Sequence, residues 1–400
     1  MPPQQRLAAL DRQLRPLHPP LPTRLAAAAG ASTAPRIGVI IHSPLRELLF
    51  TPTERAALEE LGTVTWYEGS EPATVDEAID ICRECDIALG SWATAHPGSP
   101  GLLASCPKLR LWEHVAGSVN GHFTEHSLAR TAARIEVAAG AAEDGGVDDL
   151  HSPPPEDGDP LRARLTGPPD NAELTIASCK TAIAEGVAEL AVAYVLLGLR
   201  GAIRNAALNR RPRSELTDAE LKDRDENQLP SDARIHRKMA RTSTVGIVGA
   251  GSQVGRRVAR ALTVGFGATV LAYDPYLDDA AAKAMGVGKV ENVRELCRRC
   301  DAISLHAPSN EHTRGLISEE ALKLMPDDMV LVDTTHSKII DEHAMIAELR
   351  KGRLFALLDV SDPEPAAEDS PLRSLENVLL TSHIAGARGN GLVLLGQQAV

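Results

Sequence analysis

The sequence of 400 residues predicts an α/β fold built from doubly wound parallel sheets. Short apolar runs alternate with stretches that begin at helix-capping residues, which is the pattern of βαβ units. The chain is also longer than one hydrophobic core usually supports, so we expect at least two domains. Signals in the second half of the chain repeat those of the first half, which favours two domains of similar construction.

The first strand and helix are predicted from local signals. Residues 36–41 form a short apolar run typical of a buried parallel strand. Thr51 then provides an N-cap, Pro52 suits the first helical position, and Glu54 completes a capping box. Gly62 is a suitable C′ residue and predicts the end of this helix.

The later elements follow the same logic. Thr74 and Glu77 repeat the capping spacing and predict a helix that continues to about Cys85. A long helix is predicted over 184–208, and its wide apolar girth indicates burial on more than one side. A second α/β unit begins at Thr244. Further strands are predicted at 63–67, 87–89, 109–112 and 269–273.

Composition excludes several classes of partner. The formal net charge of −12 argues against nucleic acid and anionic membranes. The longest apolar run, 190–199, is short for a bilayer span and is interpreted as a buried helix. Six cysteines without a secretory signal predict a reducing compartment, here the cytoplasm.

Two segments are predicted to be disordered. Residues 1–35 are rich in Ala, Pro and Arg and contain a single acidic residue, so we interpret them as a leader outside the fold. Residues 140–174 are acidic and rich in Pro and Gly. Such a composition buries too little apolar surface to become ordered, and we expect a surface insertion there.

A glycine-rich turn at 249–255 indicates a dinucleotide site. It lies between an apolar strand and a helix, and Asp274 follows 19 residues after Gly255, at the end of the next strand. The glycines let the backbone approach a pyrophosphate, and a carboxylate at Asp274 favours NAD over NADP. The third glycine comes one residue later than in G-x-G-x-x-G, and the same turn without a ligand is the alternative. The predicted binding residues in the turn are Gly249, Gly251, Gln253, Val254 and Gly255.

Two C-x-x-C sequences allow a zinc hypothesis. Cys82 and Cys85 end one predicted helix, and Cys297 and Cys300 end another. A four-cysteine site would need both domains to bring these turns together, and cysteines three residues apart on a helix more often pack. We therefore predict no metal.

From Thr244 to Val400 the chain resembles the D-isomer-specific 2-hydroxyacid dehydrogenases, relatives of phosphoglycerate and formate dehydrogenases. The resemblance rests on several motifs in family order: Tyr273-Asp274-Pro275-Tyr276, Ser304-Leu305-His306-Ala307-Pro308, Thr313-Arg314-Gly315-Leu316-Ile317, Leu358-Asp359-Val360, Asp362-Pro363-Glu364-Pro365 and His383-Ile384-Ala385-Gly386. The N-terminal half matches more loosely, through Val115-Ala116-Gly117-Ser118-Val119.

The resemblance implies two Rossmann/flavodoxin-like domains with the active site in the cleft between them. Residues 36–183 would bind the substrate, 184–384 would bind NAD, and 385–400 would return to the first domain. A homodimer is also implied, because the 184–208 region packs across the subunit interface in such enzymes. The implied substrate is a small 2-hydroxy or 2-oxo acid.

The resemblance also implies roles for individual residues. His383 would exchange the hydroxyl proton, and Glu364 would orient its imidazole. The backbone at Gly117, Ser118 and Val119 would meet the substrate carboxylate. Further contacts to the cofactor are implied for Pro275, Ala307, Pro308, Thr313, Thr334, Asp359 and Gly386.

One position departs from the family pattern. Where N-x-x-R-G is expected, the chain reads Asp333-Thr334-Thr335-His336-Ser337. Arginine would hold the substrate carboxylate with a forked cation, whereas His336 is shorter and offers at most two donors. Asp333 adds negative charge, and Lys338 is the nearest basic residue. We therefore predict an altered substrate clamp.

Two other functions are considered. The first is an NAD(H)-binding protein that keeps the fold with little or no catalysis, favoured by His336, Asp333, the stretched glycine turn and Asn120, where related chains often carry a base. The second is a zinc peptidase, because residues 122–126 spell H-x-x-E-H. Thr124 is a predicted N-cap, so His122 would precede the helix that carries His126, and the peptidase hypothesis is disfavoured.

Overall fold

A computed structural model describes residues 34–99, 101–116, 135–137, 174–218, 220–221, 238–335, 337–386 and 389–400. The chain divides into two compact units. The first contains the described residues up to Lys180 together with Leu392–Val400, and the second contains Thr181–Gly391. Each unit is a parallel-sheet α/β structure, which confirms the predicted fold class.

The first unit contains a parallel sheet in the order β2-β1-β3-β4-β6-β5. Most of its predicted strands are present within a residue or two. The strand predicted at 109–112 instead ends two residues later, because it extends through the buried polar side chains of Glu113 and His114. The strands are β1 (Arg36–Val39), β2 (Thr63–Trp66), β3 (Ile87–Gly90), β4 (Leu111–His114), β5 (Ile135–Val137) and β6 (Leu174–Ser178).

The helices of this unit begin at the predicted caps. Thr51 with Glu54, and Thr74 with Glu77, both form complete capping boxes. Gly62 follows the first of these helices in an extended conformation with φ −179°, whereas the predicted C′ glycine is usually left-handed. A Cβ there would lie 2.1 Å from the Pro35 carbonyl oxygen, which explains the glycine. The helices are α1 (Ser43–Leu49), α2 (Pro52–Leu61), α3 (Val75–Cys82) and α4 (Leu102–Ser105).

The second unit contains a parallel sheet in the order β13-β12-β11-β10-β7-β8-β9. The strand predicted at 269–273 is present at those residues. The strands are β7 (Thr244–Val248), β8 (Thr269–Tyr273), β9 (Gly288–Lys289), β10 (Ala302–Leu305), β11 (Met329–Asp333), β12 (Leu354–Leu358) and β13 (Val378–Leu380).

Helices cover both faces of this sheet. One face packs on α9 (Val293–Arg299), α10 (Glu319–Leu324) and α11 (Glu342–Arg350). The other face packs on α5 (Lys180–Leu199), α7 (Gln253–Arg260) and α8 (Asp279–Met285).

The long helix predicted over 184–208 is two helices. It starts earlier, as α5, and breaks at Gly201, whose φ of 61° is left-handed, before α6 (Ala202–Arg210). By length and composition alone α5 could cross a membrane, with a mean hydropathy of 1.8. Tyr194, Val195 and Leu199 are nevertheless buried in the core of the second unit, and the core helix of a globular unit can be equally long and apolar.

The last helix, α12 (Leu392–Ala399), packs in the first unit against α1. A Cβ on Gly396 would lie 1.8 Å from the Leu49 carbonyl oxygen, so only glycine allows this close approach. Most of the predicted insertion, 140–173, and the predicted leader, 1–33, lie outside the described residues.

Candidate active site

The glycine turn after β7 is required by close backbone packing. Gly249 has φ 82°, and a Cβ there would lie 2.6 Å from the backbone nitrogen of Ala307. A Cβ on Gly255 would lie 2.2 Å from the carbonyl oxygen of Gly249. The two glycines therefore let the first turn of α7 sit directly on the ends of β7 and β10.

The late third glycine is accommodated by a capping serine. Ser252 is the N-cap of α7: its hydroxyl accepts a hydrogen bond from Gly255 N at 3.0 Å and donates one to Gly249 O at 2.8 Å. Gln253 and Val254 thus occupy the first helical positions. The N-terminal amides of such a helix, with its dipole, suit an anionic pyrophosphate.

Asp274 is tied to this turn. Its carboxylate is buried and accepts hydrogen bonds from Gly251 N at 2.8 Å and from Tyr276 N at 2.9 Å, one on each oxygen. A carboxylate oxygen can accept a second hydrogen bond, so both oxygens keep capacity for ribose hydroxyls. Asp274 is thus beside the glycine turn, as the sequence predicts, and the turn also depends on it.

The carboxyl ends of the neighbouring strands form one row of side chains. Leu305 pairs with Asp333, and Asp333 pairs with Leu358, so the next residues His306, Thr334 and Asp359 lie side by side. Strand alternation directs these side chains to the face covered by α5 and α7. This row begins next to Gly249, because His306 N donates to Val248 O at 2.8 Å.

Two buried polar atoms in this row have no hydrogen-bond partner among the described residues: His306 Nδ1 and Thr334 Oγ1. Buried polar atoms are normally paired, so a bound polar ligand is the natural partner here. The other ring nitrogen of His306 lies 2.8 Å from Ser304 Oγ, and burial lowers the pKa of His306 to about 3. This row and the glycine turn together fit a dinucleotide.

Asp359 holds the loop that carries His383. Its carbonyl oxygen accepts from His383 N at 3.0 Å, and its carboxylate accepts from Ile384 N at 2.8 Å and from Ala385 N at 2.7 Å. The backbone of His383 has φ 54°, a left-handed conformation that is uncommon for a residue with a side chain. These bonds stabilise that conformation.

The structure brings His383 and Glu364 together. His383 Nδ1 lies 2.5 Å from Glu364 Oε1, and both side chains are partly exposed, at 46% and 38%. A carboxylate at Nδ1 fixes the tautomer with the proton on Nδ1, so Nε2 is the nitrogen that can accept a proton. This is the geometry of a general base with its orienting group.

The segment after β11 is folded onto itself. The buried Asp333 carboxylate accepts hydrogen bonds from the backbone nitrogen of Thr335 at 2.9 Å and from its hydroxyl at 2.6 Å. The sequence interpretation gave Asp333 only a repulsive role toward an anionic substrate, and the structure shows that this carboxylate also fixes its own loop. The Lys338 side chain is exposed, and its carbonyl accepts from Gly315 N at 2.9 Å.

Several residues predicted to contact the cofactor or substrate instead have structural partners or lie outside the described residues. Thr313 Oγ1 donates to Pro308 O at 2.5 Å and accepts from Asn310 N at 2.9 Å, so it shapes the loop after β10. Pro275 follows Asp274, and Gly386 ends the His383 loop near Gly186. His336, the 117–119 segment and the H-x-x-E-H sequence lie outside the described residues, so their roles stay predictions.

The four cysteines of the C-x-x-C sequences are buried free thiols. Burial raises the pKa of Cys297 and of Cys300 to about 12, and it raises the pKa of Cys82 further still. Metal-ligating thiols are deprotonated, and these environments oppose that. Across the described ranges, the structure contains no cluster of three or more potential ligands that could hold a metal ion.

Sequence reasoning missed three residues of this site: Ser252, Tyr194 and Thr381. Ser252 could have been found as a capping residue just ahead of the helix. Tyr194 and Thr381 meet across 187 positions of sequence, with 2.6 Å between their hydroxyl oxygens, and no local signal marks that contact.

Comparison with known proteins agrees with the geometry. Residues 210–385 match the family described as D-isomer specific 2-hydroxyacid dehydrogenase, NAD binding domain. D-3-phosphoglycerate dehydrogenase of Methanocaldococcus jannaschii is 38% identical over 141 residues, which are 35% of this chain and 26% of that protein. (S)-sulfolactate dehydrogenase of Chromohalobacter salexigens is 41% identical over 147 residues, which are 36% of this chain and 46% of that protein. The matched stretch thus spans less than half of either relative.

A solved structure supports the fold of the whole chain. D-mandelate dehydrogenase of Rhodotorula graminis aligns with a TM-score of 0.64 at 20% identity, covering 90% of this chain and 91% of that one. At this identity the likeness concerns the fold.

Proposed function

Because residues 210–385 form an NAD-binding domain of the D-isomer-specific 2-hydroxyacid dehydrogenase family, we propose that this chain transfers a hydride between NAD(H) and a 2-hydroxy or 2-oxo acid. The observation that carries the proposal is the His383–Glu364 pair at 2.5 Å, held by Asp359 in the same unit as the glycine turn. The relatives named for 3-phosphoglycerate and sulfolactate support this class of substrate.

The residues of the second unit would hold the cofactor by backbone groups. The pyrophosphate would meet the amides of the glycine turn and the start of α7, and Asp274 would accept from the adenosine ribose. His306 and Thr334 would face the remaining part of the dinucleotide. When bound, NAD supplies the hydride acceptor for oxidation of the hydroxy acid, and NADH supplies the donor for reduction of the oxo acid.

The proton would be moved by His383. In oxidation the substrate hydroxyl gives its proton to His383 Nε2, and in reduction the imidazolium returns it to the forming hydroxyl. Glu364, bonded to Nδ1, stabilises the imidazolium and prevents the ring from turning. Such a general base contributes roughly 10²- to 10⁴-fold to rate.

The substrate clamp is altered in this proposal. His336 stands where the family carries arginine, and the loss of a bidentate charged contact should cost on the order of 2–5 kcal/mol of transition-state binding. Ordinary 2-oxo acids should therefore be poor substrates, by roughly a hundredfold or more in kcat/KM. His336→Arg should raise kcat/KM for such acids, and Lys338→Ala is the matched control that tests whether the nearby lysine acts instead.

The test of function is reduction of a panel of small 2-oxo acids, followed by loss of NADH absorbance. The expected result is turnover with NADH, much weaker turnover with NADPH, and turnover lowered by roughly 10²- to 10⁴-fold in His383→Asn. Calorimetric NADH binding without reduction of any oxo acid, in wild type and in His336→Arg alike, would contradict the dehydrogenase function and leave a binding protein.

The proposal includes a cytoplasmic homodimer that binds neither nucleic acid nor membrane. The net charge of −12 supports the absence of polyanion binding. Association through the 184–208 region is supported by the family resemblance and by Leu197, an exposed apolar side chain of α5. Sedimentation should give twice the chain mass of 42.6 kDa, and a species of 42.6 kDa at micromolar concentration would contradict the dimer.

A further inference from the structure

The loop that carries His383 is supported from α5 at two points. Tyr194, on α5, is 2% exposed, and its hydroxyl oxygen lies 2.6 Å from Thr381 Oγ1, just after β13. Gly186, two helical turns earlier on α5, lies against the other end of the loop: a Cβ there would be 3.1 Å from the Ala385 carbonyl oxygen. Helix α5 therefore borders the loop both before and after His383.

The hydroxyls of Tyr194 and Thr381 form a directed chain. Thr381 Oγ1 donates to Asp359 Oδ1. A hydroxyl has one proton to donate, so Thr381 accepts from Tyr194, which is then the donor. Burial raises the pKa of Tyr194, so its hydroxyl keeps the proton that it donates. The order of the chain is Tyr194 to Thr381 to Asp359.

The carboxylate of Asp359 in turn holds the backbone that follows His383. The same Oδ1 that accepts from Thr381 also accepts from Ile384 N at 2.8 Å, and Oδ2 accepts from Ala385 N at 2.7 Å. His383 stands immediately before these amides in a left-handed conformation, φ 54°. For a residue with a side chain such a conformation is strained and persists where the surroundings hold it.

We propose that Tyr194 and Thr381 are positioning residues, which orient the carboxylate of Asp359 and through it the backbone that aims His383 at the substrate. This inference rests on the proposed function, because His383 must move the proton for its aim to affect turnover. Neither residue needs to touch substrate or cofactor for this role.

Thr381→Val and Thr381→Ser form the matched pair that tests this. Valine keeps the shape and removes the hydroxyl, whereas serine keeps the hydroxyl. Misplacing a catalytic group by about 1 Å can cost roughly a hundredfold in rate, so kcat should fall about 10- to 100-fold in Thr381→Val and in Tyr194→Phe. The KM for NADH should stay within about twofold, because the glycine turn is intact, and Thr381→Ser should restore most of kcat.

A spectroscopic measurement tests the same idea without turnover. The Nδ1 proton of the His383–Glu364 hydrogen bond should give a downfield proton resonance, identified by its absence in His383→Asn. We expect that resonance to shift or broaden in Thr381→Val and Tyr194→Phe and to be retained in Thr381→Ser. Failure of the proposed function would appear as a wild type that reduces no oxo acid, and the resonance still decides the positioning role in that case.

Two results would overturn the positioning role. One is a Thr381→Val protein with wild-type kcat and an unchanged resonance. The other is a parallel loss of kcat, of calorimetric NADH binding and of melting temperature in both threonine variants, which indicates a packing role.

Discussion

The two units begin their sheets in the same way and end them differently. In the first unit Asp86 accepts from Arg36 N at 2.9 Å and its own amide donates to Arg36 O; in the second, Asp301 does the same with Thr244, at 2.8 Å. Each aspartate thus ties the strand that it precedes to the start of the first strand. The same pair of aspartate hydrogen bonds therefore joins the amino ends of β1 and β3 in the first unit and of β7 and β10 in the second.

The cysteines that precede each aspartate pack beside the first strand of the same unit. A Cβ on Gly38 would lie 3.1 Å from Cys82 Sγ and 3.2 Å from Cys85 Sγ, and a Cβ on Gly246 would lie 3.0 Å from Cys300 Sγ. In the first unit both thiols, and in the second unit the Cys300 thiol, lie against a glycine in the first strand. This packing accounts for the C-x-x-C repeat without a metal.

The carboxyl ends of the same strands differ. After β1 the chain continues through the buried Ile40 and Ile41 into His42, the N-cap of α1. After β7 it turns at once through Gly249, with φ 82°, toward α7. The repeated scaffold lies at one edge of each sheet, and the proposed cofactor site lies at the other edge of the second sheet. Ligands in open α/β folds bind at that carboxyl edge.

The largest expected effect tests whether the chemistry lies at the carboxyl edge of the second unit. His383→Asn should lower kcat by roughly 10²- to 10⁴-fold, because it removes the general base, and should leave NADH binding nearly unchanged. Steady-state kinetics and calorimetry measure the two effects. A His383→Asn protein that keeps wild-type kcat would indicate a different proton carrier.

The next effect compares one glycine in each unit. Gly249→Ala introduces a Cβ 2.6 Å from the Ala307 nitrogen at a left-handed position, so NADH affinity should fall at least about tenfold and stability should fall by about 1–2 kcal/mol. Gly38→Ala should lower stability, because its Cβ would lie 3.1–3.2 Å from side-chain atoms of Ile81, Cys82 and Cys85. It should leave NADH affinity unchanged, because Gly38 belongs to the first unit. Calorimetry and thermal melting separate these outcomes, and normal NADH affinity in Gly249→Ala would contradict the assignment.

The shared features were largely predictable from sequence, because they depend on local signals. The capping boxes at Thr51 and Thr74 and the strand 269–273 follow from spacing and apolar runs alone. The break at Gly201 was not predicted, since the apolar pattern continues across it. Where a chain must turn depends on packing against distant elements, which local propensity does not contain.

The site was predictable where the family motif covers it and not elsewhere. Glu364 and His383 were paired through the resemblance, and the structure places them in contact. The anchoring of their loop joins Asp359, just after β12, and Thr381, just after β13, with Tyr194 of α5, so it exists only in the folded sheet. The hydrogen bond from Thr335 to Asp333 was likewise missed, because the charge of Asp333 alone suggested only repulsion of an anionic substrate.

A third prediction concerns the pH dependence of stability, which should come from the carboxyl edge of the second sheet and not from that of the first. His306 is buried with a pKa of about 3, whereas an unfolded histidine titrates near about 6.5. Between these values the unfolded chain binds the proton and the folded chain does not, so stability falls as pH falls. From pH 7 to pH 5 the loss from His306 alone should be about 2 kcal/mol.

Denaturant unfolding of wild type and His306→Gln at both pH values measures this loss. The variant should show a smaller loss between pH 7 and pH 5 than the wild type, by about 2 kcal/mol. His312→Gln, at an exposed histidine of the same unit, should behave as the wild type does. Ser91 holds the corresponding position in the first unit: it lies five residues after Asp86, as His306 lies five residues after Asp301. Serine does not titrate in this range, and Ser91 Oγ donates a hydrogen bond to Val115 O. An unchanged pH dependence in His306→Gln would mean that His306 gains a proton in the folded state.

The smallest expected effect tests the aspartate hydrogen bonds that the two units share at the amino ends of their strands. Asp86→Ala and Asp301→Ala each leave the first backbone nitrogen of a strand without its acceptor, at a partly exposed position where water can replace part of the bond. Each should therefore cost about 1 kcal/mol of stability. Asp86 also pairs with Arg110 and Asp301 with Lys238, but partly exposed ion pairs contribute little, so the two losses should be similar. NADH affinity should be unchanged in both, since the glycine turn lies at the opposite ends of the strands. If Asp301→Ala weakened NADH binding while Asp86→Ala did not, the amino edge of the second unit would take part in shaping the site, and the separation of scaffold from site would be wrong.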